Sequence, residues 1–413
     1  MEASSSSSSV IMAAASSSSS SSSCFACCFR FIKLRRKRCL ERVADVTSTS
    51  ATSITASRSQ GEEAQRKQGL HQNHPRQFSW DELERFSSNF SRVVGSGGFS
   101  TVYLSQFPDS SLGAIKMIHG ATSSQRLHRV FKQELDILLR LRHDNIVKLL
   151  GYSDHPEESI LVFEYVPNGN LQDKLHTAKT RRGGKTGAGA DGDEEEEEES
   201  GLSWNSRIKI AFQLAQALEY LHHKCPLQIV HGDIKASNIL LDRHLNCKLC
   251  DFGSAKMGFA SSVLPPFSSS SSAMSSSSSS RMMLGSPGYA DPHYLRTGIA
   301  SKKNDVYSFG VILLQLITGR EALCSRTGHK LTSIAAPALR DPSKLPQLLD
   351  PRLLRGDDPE LLEQVKVMAS ISAMCLCDSP ALRPSASDIL NAIATNIPSF
   401  PFPSSYYYSS SSS

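Results

Sequence analysis

The stretch IVHGDIKASNILL, residues 229–241, crowds an aspartate (Asp233), a lysine (Lys235) and an asparagine (Asn238) between two apolar flanks and sets Gly232 directly before the aspartate. A little further on, KLCDFG (Lys248–Gly253) repeats the device, with Asp251 closing a short apolar run. Each carboxylate stands at the end of buried structure, where a bare negative charge needs a cation or a proton to hold it. Two carboxylates with Asn238 amount to a magnesium site beside a separate base. Isolated Asp-containing turns are common, so the weight lies in their combination.

Outward from this stretch the chain changes character. On the N-terminal side, VVGSGGFSTVYL (93–104) reads as two β-rich arms around glycines. Such a turn lets backbone N–H groups approach a phosphate, and it serves any tight hairpin equally well. A strand follows at LGAIKMI (112–118), with Lys116 in its apolar run. Residues 125–141 place Leu127, Val130, Phe131, Leu138 and Leu141 on one helical face, and Glu134 falls on that same face. A charge facing a core is costly unless paired. Either Lys116 and Glu134 each reach the surface on a flexible stem, or they pair, with the glutamate holding the ammonium over nucleotide phosphates. ILVFEY (160–165) is a further strand, stopped by the turn cluster PNGN.

On the C-terminal side the period is helical over 204–222. DVYSFGVILLQLITGR (305–320) is predicted to open with Asp305 as its cap, to be apolar on nearly every side and to stop at Gly319. A helix apolar all round belongs inside a sizeable lobe. The expected fold class is therefore α+β and bilobal: a small β-rich lobe carrying one helix, a larger mainly helical lobe, and a cleft between them.

Composition narrows the reading. The 413 residues allow a full-sized bilobal enzyme. Serine-rich runs near both ends and at 268–280 bury no apolar surface that could offset chain entropy and are expected to be disordered. A net charge of +5 is too mild to argue for nucleic acid. The acidic block DGDEEEEEE (191–199) reads as a solvated loop. Cys247 and Cys250 lack a second pair to complete a zinc site, and Cys250 reads as a small buried residue. No apolar run reaches the ~18 residues of a membrane span, and the N-terminus lacks a secretory pattern.

These motifs, in this order, resemble the protein kinases over about 78–397. GSGGF with Val102 resembles the nucleotide-covering loop, AIK with Lys116 the phosphate-binding lysine, and Glu134 its helix partner. HGDIKASN resembles the catalytic loop and DFG the metal-binding aspartate; GSPGYADP (285–292), DVYSFG and Arg383 in LRPS follow. The resemblance implies that Asp233 orients a substrate hydroxyl and accepts its proton, and that Lys235 steadies the γ-phosphate as in serine/threonine kinases. It implies a nucleotide site of Val94, Gly95, Ser96, Gly97, Gly98, Val102, Lys116, Glu134, Phe163, Glu164 and Val166. Phe163 would wall the back of the adenine pocket, with 164–166 the hinge. Asn238 and Asp251 would hold magnesium, with manganese as the alternative ion, beside ATP. The domain layout implied is a tail over 1–77, a kinase domain over 78–399 with lobes meeting near 166, insertions at about 179–201 and 258–281, and a tail over 400–413.

Phrases such as SWDELERFSSNFSRVVGSGGFSTVY, HDNIVKLLGY and LVFEYVPNGNL resemble plant receptor-like kinases. With no ectodomain or span, the resemblance is to the receptor-like cytoplasmic kinases, which implies protein substrates and an upstream membrane receptor kinase. Cys24, Cys27 and Cys28 ahead of the basic run 30–38 suggest acylation plus a polybasic patch, hence the periphery of the plasma membrane. Glu2 excludes myristoylation. The alternatives are plastid import, since the N-terminus is Ser-rich and nearly acid-free, and the cytoplasm.

Four departures from the kinase pattern stand out. Ser100 replaces the third loop glycine, Gly232 the arginine before the catalytic aspartate, and His293 the glutamate that pairs with the residue matched by Arg383; a serine tract lengthens the segment from Gly253 to Gly285. The loss of a glutamate at 293 predicts a missing ion pair and a looser large lobe. That loss favours the rival reading, a pseudokinase that binds partners without transfer, while the presence of Lys116, Glu134, Asp233, Asn238 and Asp251 favours an active enzyme.

Overall fold

A computed structural model describes residues 74–98, 100–119, 124–155, 158–176, 201–258, 285–354 and 358–402. The N-terminal cysteines and basic run, the acidic block and the serine tract lie outside these residues.

The small lobe is a six-stranded sheet in the order β1-β5-β6-β4-β3-β2. Its strands are β1 (Arg76–Gln77), β2 (Val93–Gly97), β3 (Ser100–Gln106), β4 (Leu112–Ile118), β5 (Leu149–His155) and β6 (Glu158–Glu164). Helix α1 (Trp80–Phe86) precedes β2, and α2 (Ser124–Arg140) joins β4 to β5. Successive side chains of a strand face opposite ways, and β4 shows the consequence. Ile115 and Met117 pack with Phe78, Leu83, Ile160 and Val162 against α1. Ala114 and Ile118 turn to the main core with Phe131, Leu161 and Phe163. Lys116 lies between them on the inner face, opposite Val102 on one side and Leu161 on the other.

The sequence reading left Arg76 and Gln77 in the tail, but they pair in parallel with Gly151 and Tyr152 of β5. What holds them is aromatic burial: Phe78 stacks on Phe107 at 6.0 Å, and Phe86 meets Phe107 edge-on at 5.6 Å. Gly151 permits the approach, because a Cβ there would lie 2.2 Å from the Arg76 carbonyl oxygen. Ser79 and Glu82 close a reciprocal capping box on α1.

The large lobe contains α3 (Leu171–His176), α4 (Trp204–Glu219), α5 (Pro292–Thr297), α6 (Lys302–Thr318), α7 (Leu331–Arg340), α8 (Pro359–Cys375) and α9 (Ala386–Asn396). Two short antiparallel pairs accompany them: β7 (Ile229–Val230) with β10 (Lys256–Met257), and β8 (Ile239–Leu241) with β9 (Cys247–Leu249). Helix α6 is buried continuously from Asp305 to Thr318, as its apolar circumference required. Its start corrects the expected cap. Ser301 and Asn304 form the capping box, one turn earlier, which frees Asp305 for another task.

The other boundary correction is at the C-terminus. Phe402, placed in the tail by its serine-rich context, is buried with its ring 4.5 Å from that of Phe212 on α4. A single aromatic ring buries enough apolar area to fix the chain there.

Candidate active site

Strand β4, helix α2 and the segment after β9 bring three charges together. The Lys116 Nζ donates to Glu134 Oε1 at 2.8 Å and to Asp251 Oδ1 at 2.9 Å. Of the two readings open for Lys116 and Glu134, the paired one holds. Burial by itself would push the Lys116 ammonium down, but the carboxylates of Glu134 and Asp251 outweigh it and hold the group above its ordinary range. Burial would likewise raise Asp251, and Lys116 overrides it and keeps the carboxyl below its usual value. Both groups are thus held charged.

The loop between β7 and β8 gathers the second cluster. Lys235 Nζ lies 2.8 Å from Asp233 Oδ2. The Asn238 side-chain amide donates to the Asp233 carbonyl at 2.9 Å. Ser286, from the segment leading to α5, donates to Asp233 Oδ1 at 2.8 Å and accepts from Lys235 Nζ at 3.0 Å. A hydroxyl therefore already sits against the candidate base and the candidate phosphate-steadying cation.

Asp305 explains why this loop holds its shape. Its carboxylate accepts from the backbone N–H groups of His231 and Gly232, each at 2.9 Å, and bonds His222 Nε2 at 2.9 Å. Gly232 takes a φ of +80°, a left-handed conformation that glycine adopts without a Cβ penalty. His231 bonds the Cys250 carbonyl at 3.1 Å and packs edge-on to Phe252, which ties the two aspartate-bearing segments together. On the other side, Gln133 of α2 donates to the carbonyl of the fully buried Ala255 at 2.8 Å.

The remaining nucleotide-site candidates lie in the β2–β3 hairpin and at the end of β6. Across the hairpin, Gly95 faces Val102, Ser96 faces Thr101 and Gly97 faces Ser100, so the turn proper begins at Gly98 rather than at Gly95. Val94 is exposed, whereas Phe163 and Val166 are buried. The Glu164 side chain also has a structural task. Its carboxylate accepts from the Lys148 N–H and from Lys248 Nζ, both at 2.9 Å, which braces the strand end against β9.

A divalent ion can be tested against the donors. Asn238 commits its amide nitrogen to Asp233, and Asp251 commits Oδ1 to Lys116, which leaves one amide oxygen and one carboxylate oxygen on neighbouring segments. Hard oxygen donors in small number, completed by phosphate, suit such a cation. Among the described residues no cluster of three or more His, Cys, Asp or Glu side chains forms an all-protein metal site. Burial pushes the Cys250 thiol up to about 12, as expected of a packing residue.

The expected loss of an ion pair at residue 293 is overturned. Arg383 is paired after all, with Asp291: Nη1 to Oδ2 at 2.6 Å and Nη2 to Oδ1 at 2.9 Å, both side chains buried. Asp291 lies before Pro292 where the sequence reading looked for an acid after it. Ser286, Asp291, Gln133 and Lys248 are site residues that no motif in the sequence singled out for these contacts.

Two lobes, a paired lysine and two aspartate-bearing loops on facing segments define a phosphoryl-transfer enzyme of the protein kinase type. Residues 88–393 match the family described as Protein kinase domain, and the chain belongs to it. Plant kinases are among its relatives. A probable receptor-like protein kinase of Arabidopsis thaliana is 48% identical over 78% of this chain and 89% of its own. The salt tolerance receptor-like cytoplasmic kinase 1 of Oryza sativa subsp. japonica is 47% identical over 77% of this chain and 80% of its own. The probable serine/threonine-protein kinase PBL25 of Arabidopsis thaliana is 36% identical over 77% and 76%. The enzyme is a protein serine/threonine kinase, using ATP and a divalent metal on protein substrates. Among the described residues no helix is long and apolar enough to cross a membrane.

Proposed function

We propose that Asp233 is the base that orients the substrate hydroxyl and takes its proton, that Lys235 neutralises charge on the transferred phosphoryl group, and that Lys116, held by Glu134, contacts the nucleotide phosphates. The observation that carries the reading is the Lys116 Nζ within 2.9 Å of both Glu134 and Asp251, which aligns α2 with the metal-binding segment. Asn238 and Asp251 would hold magnesium, which when bound neutralises the phosphates. Val94–Gly98 with Val102 would cover the phosphates, and Phe163, Glu164 and Val166 would line the adenine side. Chemistry in this class is positioning and charge neutralisation.

The proton path follows from the contacts. Ser286 donates to one oxygen of Asp233 and Lys235 holds the other, so an incoming hydroxyl shares an oxygen with the lysine or displaces the serine. Transfer of labelled γ-phosphate from ATP to an exogenous protein tests the assignment. Asp233→Asn is expected to reduce it by about 10²–10⁴ while the protein still binds nucleotide. An Asp233→Asn enzyme as active as wild type would refute the role.

We further infer that activity does not depend on a phosphate in the activation segment. A kinase with arginine at 232 carries a buried cation that such a phosphate neutralises; Gly232 supplies none. The relatives support a place in plant receptor-linked signalling, downstream of a membrane receptor kinase, and the cysteines and basic run at 24–38 support peripheral attachment to the plasma membrane. Fractionation should then find the protein on membranes and release it when Cys24, Cys27 and Cys28 become serine. A fully soluble or plastid-processed protein would refute the attachment.

A further inference from the structure

The end of the activation segment is built around one carboxylate. Asp291 accepts from two nitrogens of Arg383, from the His293 N–H at 2.8 Å as the cap of α5, and from the Asn304 side chain at 2.9 Å. Arg383 has five N–H donors, and each has an acceptor. Besides Asp291 these are the carbonyls of Cys377 at 2.8 Å, Lys303 at 2.9 Å and Asp378 at 3.5 Å. The Tyr307 ring covers the guanidinium 5.1 Å away. No donor remains for an acid at position 293.

The same helix serves both halves of the machinery. On α6, Asn304 holds Asp291, Ser308 donates to the Tyr289 carbonyl at 2.9 Å, and Gln315 accepts from the Tyr289 hydroxyl at 2.7 Å. Asp305, between them, holds the backbone of His231 and Gly232. The segment thus fixed carries Ser286 to Asp233 and Lys235, five residues before Asp291 in the chain.

We propose that Asp291 is the anchoring acid of the activation segment in this kinase: it does from the residue before Pro292 what the family's glutamate does from the residue after it. It is a positioning residue. It touches no reacting atom, and it acts by seating the segment that carries Ser286 against Asp233. His293 is released from the buried pair, which explains how the chain tolerates an imidazole there.

Four proteins test this: wild type, Asp291→Asn, His293→Glu and the double variant. Each is assayed for kcat on a protein substrate and for affinity toward a fluorescent ATP analogue. Asp291→Asn keeps the helix cap and removes the charge. It should lower kcat by about tenfold to a hundredfold, as a small misplacement of reacting groups does, with analogue affinity within about twofold because Lys116 and Asp251 lie elsewhere. His293→Glu alone should leave kcat within about twofold, since Arg383 is already filled. In the double variant the glutamate should take the vacated arginine and restore most of the activity, and recovery of folded, transferring protein supports the proposal even where the single variant does not fold. The proposal is overturned by an undiminished kcat in Asp291→Asn, by analogue affinity falling in step with kcat, by a double variant as inactive as the single one, or by a large gain from His293→Glu alone.

Discussion

Two ion pairs of this molecule use the same chemistry to opposite ends. Arg383 and Asp291 are sealed, with side-chain exposures of 0% and 1% and every guanidinium donor satisfied. Lys116 and Glu134 are nearly as buried, at 12% and 2%, but the lysine's second partner, Asp251, is 45% exposed. One pair is closed on all sides and holds a segment in place. The other is open at one end, where a carboxylate oxygen can be given up to a ligand. The difference teaches that burial of charge alone does not mark a reacting site; an incompletely enclosed partner does.

The largest expected effect comes from breaking the sealed pair. Arg383→Ala leaves Asp291 charged and uncompensated, and removal of one partner of a buried pair costs about 3–5 kcal/mol. Urea unfolding should show that loss directly. Next comes the open pair: Lys116→Met should reduce phosphoryl transfer by about 10²–10³, the effect of losing one preorganised cation at developing charge, while the methionine stem keeps the strand packed. Its urea midpoint should move less than that of Arg383→Ala, because one of the two carboxylates it leaves, Asp251, is 45% exposed and stays hydrated. Equal destabilisation by both substitutions would erase the distinction between them.

A smaller effect separates the pairs by pH. Asp251 is held below its ordinary carboxyl value, so the unfolded chain binds the proton more readily. Its contribution to stability is present above the unfolded value and is lost as pH falls through the folded one. Lys116 is held above its ordinary value of 10.5, so its contribution is complete below that value and is lost as pH rises through the folded one. The stability gap between wild type and Lys116→Met should therefore be level across neutral pH and shrink at both extremes. A gap that grows toward acid would contradict the assigned contacts.

Much of this was legible in the sequence, for identifiable reasons. The apolar run of its strand and the helical period put Lys116 and Glu134 where each charge needed either a partner or a route to the surface; only the contact between them decides for the pair. The apolar circumference of α6 declared its burial. What could not be read were contacts between residues distant in the chain. Asp305 looks like a cap because aspartate before an apolar run usually is one; its bonds to His231 and Gly232 depend on how the lobe closes. The pairing of Asp291 with Arg383 is of the same kind: the family pattern sets the acid after Pro292, and only the closed lobe shows the carboxylate before it reaching the guanidinium. Phe402 and Arg76 were assigned to tails by the composition around them, although one ring or two backbone pairs suffice to hold a chain end.

Asp291, Asn304, Ser308 and Ser286 anchor the described end of the activation segment without a phosphate, and with glycine at 232 this supports the proposal that activity does not require one. The direct measurement is phosphoryl transfer to an exogenous substrate by wild-type enzyme before and after complete dephosphorylation, with Gly232→Arg beside it. The expected result is wild-type activity unchanged within about twofold, and greater dependence on phosphate in the arginine variant. Collapse of wild-type activity on dephosphorylation, restored by phosphate on serines between Ser254 and Ser286, would contradict the account.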